Sequence, residues 1–112
     1  MQKELGLVIR ECRNYRGLKQ EYMAYKLGVT LHTYANIENG RVDSSCKKLR
    51  TIAGVLNIKA RDIFTLAEDL HDYKNASWIT DLTRQKIKLY FNNRPFLLTP
   101  RPLLKETDWS NL

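Results

Sequence analysis

The chain has no proline before Pro95, and up to that point its apolar residues recur three and four positions apart in short blocks. Proline in a helix interior removes a hydrogen bond and clashes with the preceding turn, so a long proline-free stretch of this kind favours helices. Leu5, Val8, Ile9 and Cys12 form the first block and would line one face of a helix. Helices this short are not stable alone, so they must pack on one another.

Glycines, an asparagine and serines mark where these blocks begin and end. Gly17, Gly28 and the pair Asn39-Gly40 are helix-stop signals, and Ser44-Ser45 supplies an N-cap for the next helix. A further helix is expected to begin near Ala60. The sequence therefore predicts a mainly α domain of five short helices, the last of which should bury Ile63, Phe64 and Ala67.

The excess of positive charge lies in the same part of the chain. Residues 1–66 hold 12 of the 19 Lys and Arg residues but only 6 of the 12 Asp and Glu residues. A basic surface favours an anionic partner, most often nucleic acid. The two cysteines, Cys12 and Cys46, and the two histidines, His32 and His71, lack the spacing of a disulfide scaffold or a metal site. We therefore expect no metal and no cofactor.

Several other classes of protein are excluded by what the sequence lacks. No stretch approaches the ~20 consecutive apolar residues of a membrane span. Met1 to Glu4 does not begin a secretory signal. No Ser/His/Asp, Cys/His or paired-carboxylate constellation of an enzyme is visible. The expectation is a cytoplasmic protein that has reduced thiols, no membrane partner and no catalytic activity.

The stretch from Gln20 to Asn39 has the pattern of two short helices that cross at a steep angle. Ala24 is small enough to let the two backbones approach, and Gly28, four residues later, suits the tight turn between them. Tyr34 and Ile37 would anchor the second helix inward. The outward side chains of that helix would then form a mostly polar strip of Leu31, His32, Thr33 and Asn36.

On these residues, the stretch from Leu5 to Leu66 resembles the Cro and lambda-repressor type of helix-turn-helix proteins, also called the Xre family. The resemblance rests on the motifs Gln-x3-Ala-x3-Gly-Val, which begins at Gln20, and Ile-Glu-x-Gly-Arg, which begins at Ile37. It implies a five-helix DNA-binding domain over residues 1–70. Further matching residues are Arg13, Leu27, Leu49, Ile52, Ala53, Leu56 and Ile58.

The resemblance also implies that the helix at 31–39 enters the major groove of DNA with its N-terminal end first. Asn can pair with adenine, His can donate to guanine or thymine, and Leu can contact a thymine methyl group. The implied base-reading residues are Leu31, His32, Thr33 and Asn36. The implied phosphate contacts surround them and are Arg16, Lys19, Gln20, Thr30, Asn39, Arg41, Lys47 and Lys48.

Arg13 and Glu38 resemble an ion pair of the family that ties the first helix to the end of the reading helix. Three other residues depart from the family pattern. Lys19 and Lys59 stand where a capping residue is usual before the second and fifth helices, and Tyr34 stands where Val or Ile is usual. A buried tyrosine needs a partner for its hydroxyl, so the Tyr34 ring is expected to protrude toward the edge of the groove.

Residues 71–112 lie beyond the resemblance and form an extension. Apolar and polar residues alternate from Lys86 to Phe91, which is typical of a half-buried strand. Asn92-Asn93 is a turn signal, and Phe96 to Thr99 would return as a second strand. The extension is therefore predicted to be a short helix followed by a β-hairpin or strand. The competing prediction is a single helix from Ser77 to Asn92.

This extension is too apolar to remain exposed, and an isolated hairpin is marginal in water. Burial against the same segment of a second chain would give a homodimer. The alternatives are packing on the helical domain and capture by a different protein. The expected interface residues are Trp78, Ile87, Leu89, Phe91, Phe96 and Leu98.

The predicted function is sequence-specific regulation of transcription, with a repressor that binds a palindromic operator on double-stranded DNA as a homodimer. A two-fold dimer would place two reading helices one DNA turn, ~34 Å, apart. One alternative is the antitoxin of a toxin–antitoxin pair, whose C-terminal segment binds a toxin while the helical domain represses the operon. Another is an adaptor that binds protein rather than DNA.

Overall fold

The computed structural model of the protein describes residues 1–41 and 45–93, and these residues form six α-helices with no strand among them. The five helices predicted for the N-terminal region are confirmed. None of the six has the length and apolar character of a membrane-spanning segment. The helices are α1 (Gln2–Tyr15), α2 (Gln20–Leu27), α3 (Leu31–Glu38), α4 (Cys46–Leu56), α5 (Ala60–His71) and α6 (Ile79–Asn93).

The three glycines among the predicted helix stops, Gly17, Gly28 and Gly40, all take up the left-handed conformation. Gly28 follows α2 with a φ of 68°, and its N–H donates to the Tyr25 carbonyl at 3.2 Å. Other residues are strained at this φ, so glycine ends the helix at the lowest cost. Gly40 has a φ of 69°, and a Cβ added there would lie 2.7 Å from the Cα of Lys3. The chain that leaves α3 therefore runs directly against the start of α1.

The N-terminal caps of the helices follow the residue types at those positions. Ser45 caps α4, and its hydroxyl oxygen accepts a hydrogen bond from the Lys48 N–H at 3.2 Å. The other half of the predicted serine pair, Ser44, lies outside the described residues. Lys19 and Lys59 precede α2 and α5 without a side-chain cap, because a lysine has no oxygen with which to accept the backbone N–H groups.

One apolar core holds the first five helices together. Val8 and Cys12 of α1, Tyr34 of α3 and Ile52 of α4 are fully buried in it. The α5 side chains at Ile63, Ala67 and Leu70 are buried too, which confirms two of the three predicted for that helix. The prediction for Phe64 is wrong, since its side chain is 38% exposed. It lies one residue, or about 100° of helix rotation, away from the inward stripe that begins at Ile63.

The chain from Lys86 to Phe91 is helical, so the prediction of a strand there is wrong and the competing prediction of a helix is confirmed. Thr83, Ile87 and Phe91 are buried four residues apart, which is the spacing of one helix face. Leu89 is 59% exposed, so its place in the alternation of apolar and polar residues did not indicate a buried strand face. The second predicted strand, Phe96 to Thr99, lies outside the described residues.

Helix α6 packs on α1 rather than standing apart from the five-helix unit. The rings of Phe91 and Tyr15 stack with their centroids 4.9 Å apart. Arg84 donates to the buried carboxylate of Glu11, with 2.9 Å between Nε and Oε1. These contacts bury the inner face of α6 within the chain itself, which is one of the alternatives that the sequence left open.

The six residues expected at an interface have different positions in the structure. Ile87 and Phe91 are 1% and 0% exposed within the single chain. Their assignment to a dimer or partner interface is therefore wrong, because α1 already covers them. Trp78 and Leu89 are exposed, so a partner could reach them. Phe96 and Leu98 lie outside the described residues.

Candidate nucleic-acid interface

The turn between α2 and α3 fixes how the second helix is presented. The Val29 N–H donates to the carbonyl of Ala24 at 3.1 Å, which closes the end of α2 after Gly28. Ala24 is buried at the contact between the helices, and Tyr34 and Ile37 anchor the inner face of α3 in the core. With those two side chains buried, the opposite face of α3 is directed away from the core.

The N-terminal end of α3 is capped by Thr30. Its hydroxyl oxygen accepts a hydrogen bond from the Thr33 N–H at 3.1 Å, and its hydroxyl lies 2.9 Å from the Thr33 hydroxyl. Leu31 and His32 follow the cap as exposed side chains, and Leu31 is 45% exposed. A free helix N-terminus also carries a partial positive charge. The first turn of α3 is therefore open to an anionic partner.

His32 and Asn36 contact each other on the outward face of α3. Asn36 Nδ2 lies 3.2 Å from His32 Nε2, and the two residues are four positions apart. A neutral imidazole nitrogen accepts a hydrogen bond from the amide, whose second N–H and carbonyl oxygen remain available. The pair therefore presents a donor and an acceptor side by side, which is the pattern needed to pair with the edge of an adenine.

Glu38, the last residue of α3, binds side chains from α1 and α2. Arg13 donates to both of its oxygens, with Nε to Oε2 at 2.6 Å and Nη2 to Oε1 at 3.1 Å. Arg13 also donates to the Leu18 carbonyl at 2.9 Å. Burial alone would lower the pKa of Arg13, but its hydrogen bonds and charge attraction to Glu38 raise it. The guanidinium therefore stays charged and ties the end of α3 to α1.

Gln20 has a structural partner in addition to any role at a phosphate. Its Nε2 donates to Glu38 Oε1 at 3.0 Å, so the start of α2 is joined to the end of α3. An amide nitrogen carries two N–H groups, which leaves one for a ligand outside the protein. Sequence reasoning missed this contact, because a glutamine at a helix start gives no signal of a partner eighteen positions away.

Backbone contact fixes the crossing of α1 and α3 at the same place. Gly6 of α1 is buried, and a Cβ added to it would lie 2.7 Å from the carbonyl carbon of Glu38. Real Cβ atoms do not approach a backbone so closely, so any side chain at this position would separate the two helices. The sequence analysis did not single out Gly6.

Tyr34 does not reach the edge of the interface, so that expectation is wrong. Its side chain is 0% exposed and points into the core beneath α3. Burial raises the pKa of Tyr34, and the nearby Glu38 carboxylate raises it further. The phenol therefore remains neutral and fills the space that a smaller Val or Ile would leave. The hydroxyl lies near the Arg13–Glu38 pair, but it is buried without a hydrogen-bond partner among the described residues.

The predicted phosphate-contacting residues lie before α2, after α3 and at the start of α4. Lys19, Asn39, Arg41 and Lys47 are exposed, whereas Lys48 is half-buried. The structure thus makes these side chains accessible at both ends of the α2–α3 unit. Arg16 is also half-buried, and its Nη1 is enclosed by protein, so only part of its guanidinium group faces solvent.

Two exposed tyrosines on α2 were not singled out in the sequence. Tyr25 is 78% exposed and Tyr22 is 42% exposed. Lys26 lies over the Tyr22 ring, with 5.6 Å between Nζ and the ring centroid. Their position beside the buried pair Met23-Ala24 is the only sequence signal that they face outward.

Comparison with known proteins agrees with this geometry. The helix-turn-helix family matches residues 9–63. An "ImmF control region 10 kDa protein" of Bacillus phage phi105 is 41% identical over 56 residues, which are 50% of this chain and 62% of the phage protein. The region shared with that relative is thus less than two thirds of its length.

Two archaeal relatives are covered almost along their full length. An uncharacterized HTH-type transcriptional regulator of Methanocaldococcus jannaschii is 40% identical over 57 residues, 51% of this chain and 86% of the relative. Another, from Archaeoglobus fulgidus, is 34% identical over 61 residues, 54% of this chain and 87% of the relative. With the α2–α3 geometry and the match at 9–63, these relatives show that the chain belongs to the Cro and lambda-repressor type, or Xre family, of helix-turn-helix transcriptional regulators.

Proposed function

We propose that the protein represses transcription by binding a palindromic operator in duplex DNA as a homodimer, with α3 in the major groove. One observation carries the proposal. Tyr34 and Ile37 anchor one face of α3, while Leu31, His32 and Asn36 are presented on the other. A short helix of this kind fits the major groove, where base edges differ in their donors, acceptors and methyl groups.

The base contacts are proposed from the chemistry of these side chains. Asn36 would pair with an adenine, and His32, which contacts it, would donate to a neighbouring guanine or thymine. Leu31 would contact a thymine methyl group. Thr33 lies closer to the cap at Thr30 and would reach a base edge or the backbone.

The phosphate contacts are proposed on both sides of the groove. Lys19 and Gln20 are at the start of α2, where the uncapped backbone N–H groups would also contact the DNA backbone. Asn39 and Arg41 follow α3, and Lys47 begins the next helix on the far side. Contact with about six phosphates would make log K fall with log salt at a slope near −5.

Dimerisation is proposed from the size of the reading helix. The eight residues of α3 can read only one half-site, and a two-fold dimer would read two of them one DNA turn apart, ~34 Å. Residues 1–70 would be the DNA-binding unit and residues 71–112 the segment that mediates association. Tyr73, Trp78 and Leu89 are the large exposed hydrophobic side chains of that segment among the described residues.

Selection of bound duplexes from a random pool tests the proposal most directly. The expected result is an inverted repeat whose half-site centres lie about 10 base pairs apart. Asn36→Ala should change the enriched sequence at one position per half-site, whereas Asn14→Ala, an exposed asparagine on α1, should not. Failure to enrich any sequence would contradict specific binding and favour the adaptor alternative.

The arrangement of the selected half-sites and the proteins that co-purify with the chain separate the other outcomes. A single, unrepeated half-site would contradict the homodimer. If the protein co-purifies with a stoichiometric toxic partner that covers residues 77–112, the antitoxin alternative replaces the homodimeric repressor. The DNA-binding role of α3 would remain in either case, because it depends on a different part of the chain.

A further inference from the structure

A cleft of about 400 Å³ lies behind the reading helix. One wall is the first half of α1, another is the end of α3, and the third is the loop after α5 with the start of α6. Its volume is within the range of sites that bind small organic molecules. Leu7 and Ile79 contribute apolar surface from opposite walls. The α6 wall lies beyond residues 9–63, which the family match covers.

The cleft is lined by cations whose charge is not neutralised within it. Lys3, Arg10 and Lys74 contribute to its walls. Among the residues that the structure describes, Lys3 and Lys74 form no ion pair, and Arg10 reaches only Glu11, at 3.4 Å. These three side chains line one space from two different parts of the chain, α1 and the loop after α5.

The two carboxylates in the walls are already occupied by other groups. Glu4 binds His71 Nδ1 at 2.8 Å and the N-terminal ammonium at 3.3 Å. Glu38 holds Arg13 and Gln20. Both carboxylates are almost completely buried. The charge that faces the cleft is therefore positive.

We propose that this cleft binds a small organic anion, in which a carboxylate or phosphate group is joined to an apolar group. The anionic group would contact Lys3 and Lys74, since charge-assisted hydrogen bonds to such oxygens are the stronger kind. The amide of Asn75 would complete its coordination, and the apolar group would pack against Ile79.

The position of the cleft couples the ligand to DNA binding, and this part of the inference rests on the proposed function. Asn39 lies in the wall and directly follows α3, and Gly40 is packed against Lys3. A ligand that binds more tightly when the end of α3 is in one position than in another favours that position. It thereby changes the affinity of the protein for DNA. By linkage, DNA then changes the affinity for the ligand by the same factor.

Binding is tested without DNA, by following backbone amide signals of the full ¹⁵N-labelled chain during titration. The probes are phenyl phosphate, benzoate, inorganic phosphate and neutral benzyl alcohol. We expect saturable shifts at Leu7, Asn75 and Ile79 with the two probes that carry both a ring and an anionic group. Comparison of the affinities for phenyl phosphate and benzoate shows whether the cleft prefers a phosphate or a carboxylate group. Inorganic phosphate and benzyl alcohol should bind at least about tenfold more weakly, because each lacks one of the two contacts.

Charge variants show whether the cleft itself is the site. Lys3→Gln with Lys74→Gln should weaken binding of the preferred probe by about tenfold or more. Lys88→Gln removes an exposed cation of α6 that does not line the cleft and should leave binding unchanged. Absence of saturable shifts with every anionic probe, or equal loss in both sets of variants, overturns the proposed site.

DNA affinity, measured with and without the preferred probe, tests the coupling. We expect a change of at least about fivefold in Kd, which is the lower end of allosteric coupling. If the probe binds but the Kd for DNA does not change, the proposed ligand site stands and the proposed coupling is wrong. If the Lys3 and Lys74 variants instead bind DNA more weakly and with a flatter salt slope, these residues contact the DNA backbone and the ligand site is overturned.

Discussion

Arg13 donates to both carboxylate oxygens of Glu38 from Nε and Nη2, which lie on one edge of its guanidinium group, and so joins the last turn of α1 to the last residue of α3. The Glu38 side chain is 1% exposed and that of Arg13 is 11% exposed. Removing either partner would destabilise the folded protein, because the other charge would remain buried without its counterpart.

Glu38→Ala should therefore lower the free energy of unfolding by about 3–5 kcal/mol. Urea unfolding followed by circular dichroism measures the change. Asp69→Ala is the control, since Asp69 and Lys86 form a solvent-exposed pair at 4.0 Å that contributes only about 0–1 kcal/mol. Equal losses in the two variants would mean that the Arg13–Glu38 pair is no more important than a surface contact.

Asn36→Ala should remove discrimination at one base position of each half-site, worth about 1–3 kcal/mol. The salt dependence of binding should stay the same, because the amide carries no charge. Binding to a panel of single-base operator variants at two salt concentrations measures both quantities. A uniform loss of affinity for every sequence would show that Asn36 contacts the backbone.

Lys47→Ala should weaken binding to all sequences to a similar extent and flatten the slope of log K against log salt by about 1. The exposed position of Lys47 at the start of α4 makes a phosphate its natural partner. Lys88→Ala removes the same charge from α6 and should leave the slope nearly unchanged. A sequence-dependent loss for Lys47→Ala would assign it to a base instead.

Phe91→Ala should lower the free energy of unfolding by about 3–5 kcal/mol, as removal of a buried aromatic ring does. The ring is 0% exposed and stacks on Tyr15. Leu89→Ala, two residues away on the exposed face of the same helix, should have little effect at protein concentrations too low for association. Both variants are compared by thermal or urea unfolding. Were Leu89 the more costly change, the inner face of α6 would be assigned incorrectly.

Glu4 should make stability depend on pH in the acid range. Burial alone would raise the pKa of Glu4, but hydrogen bonds from His71 and the N-terminal ammonium bring it below 4.5. A carboxyl with a lower pKa when folded adds stability above its unfolded pKa, and this contribution is lost as the pH falls through the folded value.

The stability of the natural protein relative to Glu4→Gln should therefore be greatest above pH 4.5 and should shrink below it. Urea unfolding of both proteins at pH 7 and at several values below pH 4.5 tests this. A difference that is independent of pH would show that Glu4 acts through packing or neutral hydrogen bonds alone.

The sequence predicted the parts of the fold that depend on local geometry. Gly28 ends α2 because its φ is positive, and Ser45 caps α4 because its hydroxyl accepts a backbone N–H. Such effects involve neighbouring residues only. The outward strip of α3 was likewise predictable, since burial of Tyr34 and Ile37 determines which side chains of a helix point the other way.

The parts that were not predicted depend either on a side chain that the apolar pattern does not reveal or on contacts between separate elements. In α6 a polar residue, Thr83, occupies a core position because its hydroxyl donates to the Ile79 carbonyl at 2.8 Å, while the apolar Leu89 is exposed. The polar Thr83 and the apolar Leu89 together obscured the apolar pattern of a helix and produced the alternation that is typical of a strand. The Gln20–Glu38 contact and the cleft behind α3 likewise arise only when separate elements meet.

The tight crossing at Gly6 has a consequence for how new DNA preferences can arise. Main-chain atoms of Glu38 occupy the room that any side chain at Gly6 would need, so this backbone contact and the buried Tyr34 and Ile37 hold α3 independently of its outward side chains. On the proposed mode of DNA binding, altered specificity would be reached most easily by replacing Leu31, His32 or Asn36 while this frame stays unchanged. Descendants of this chain would then acquire different operators without a change in how α3 is held.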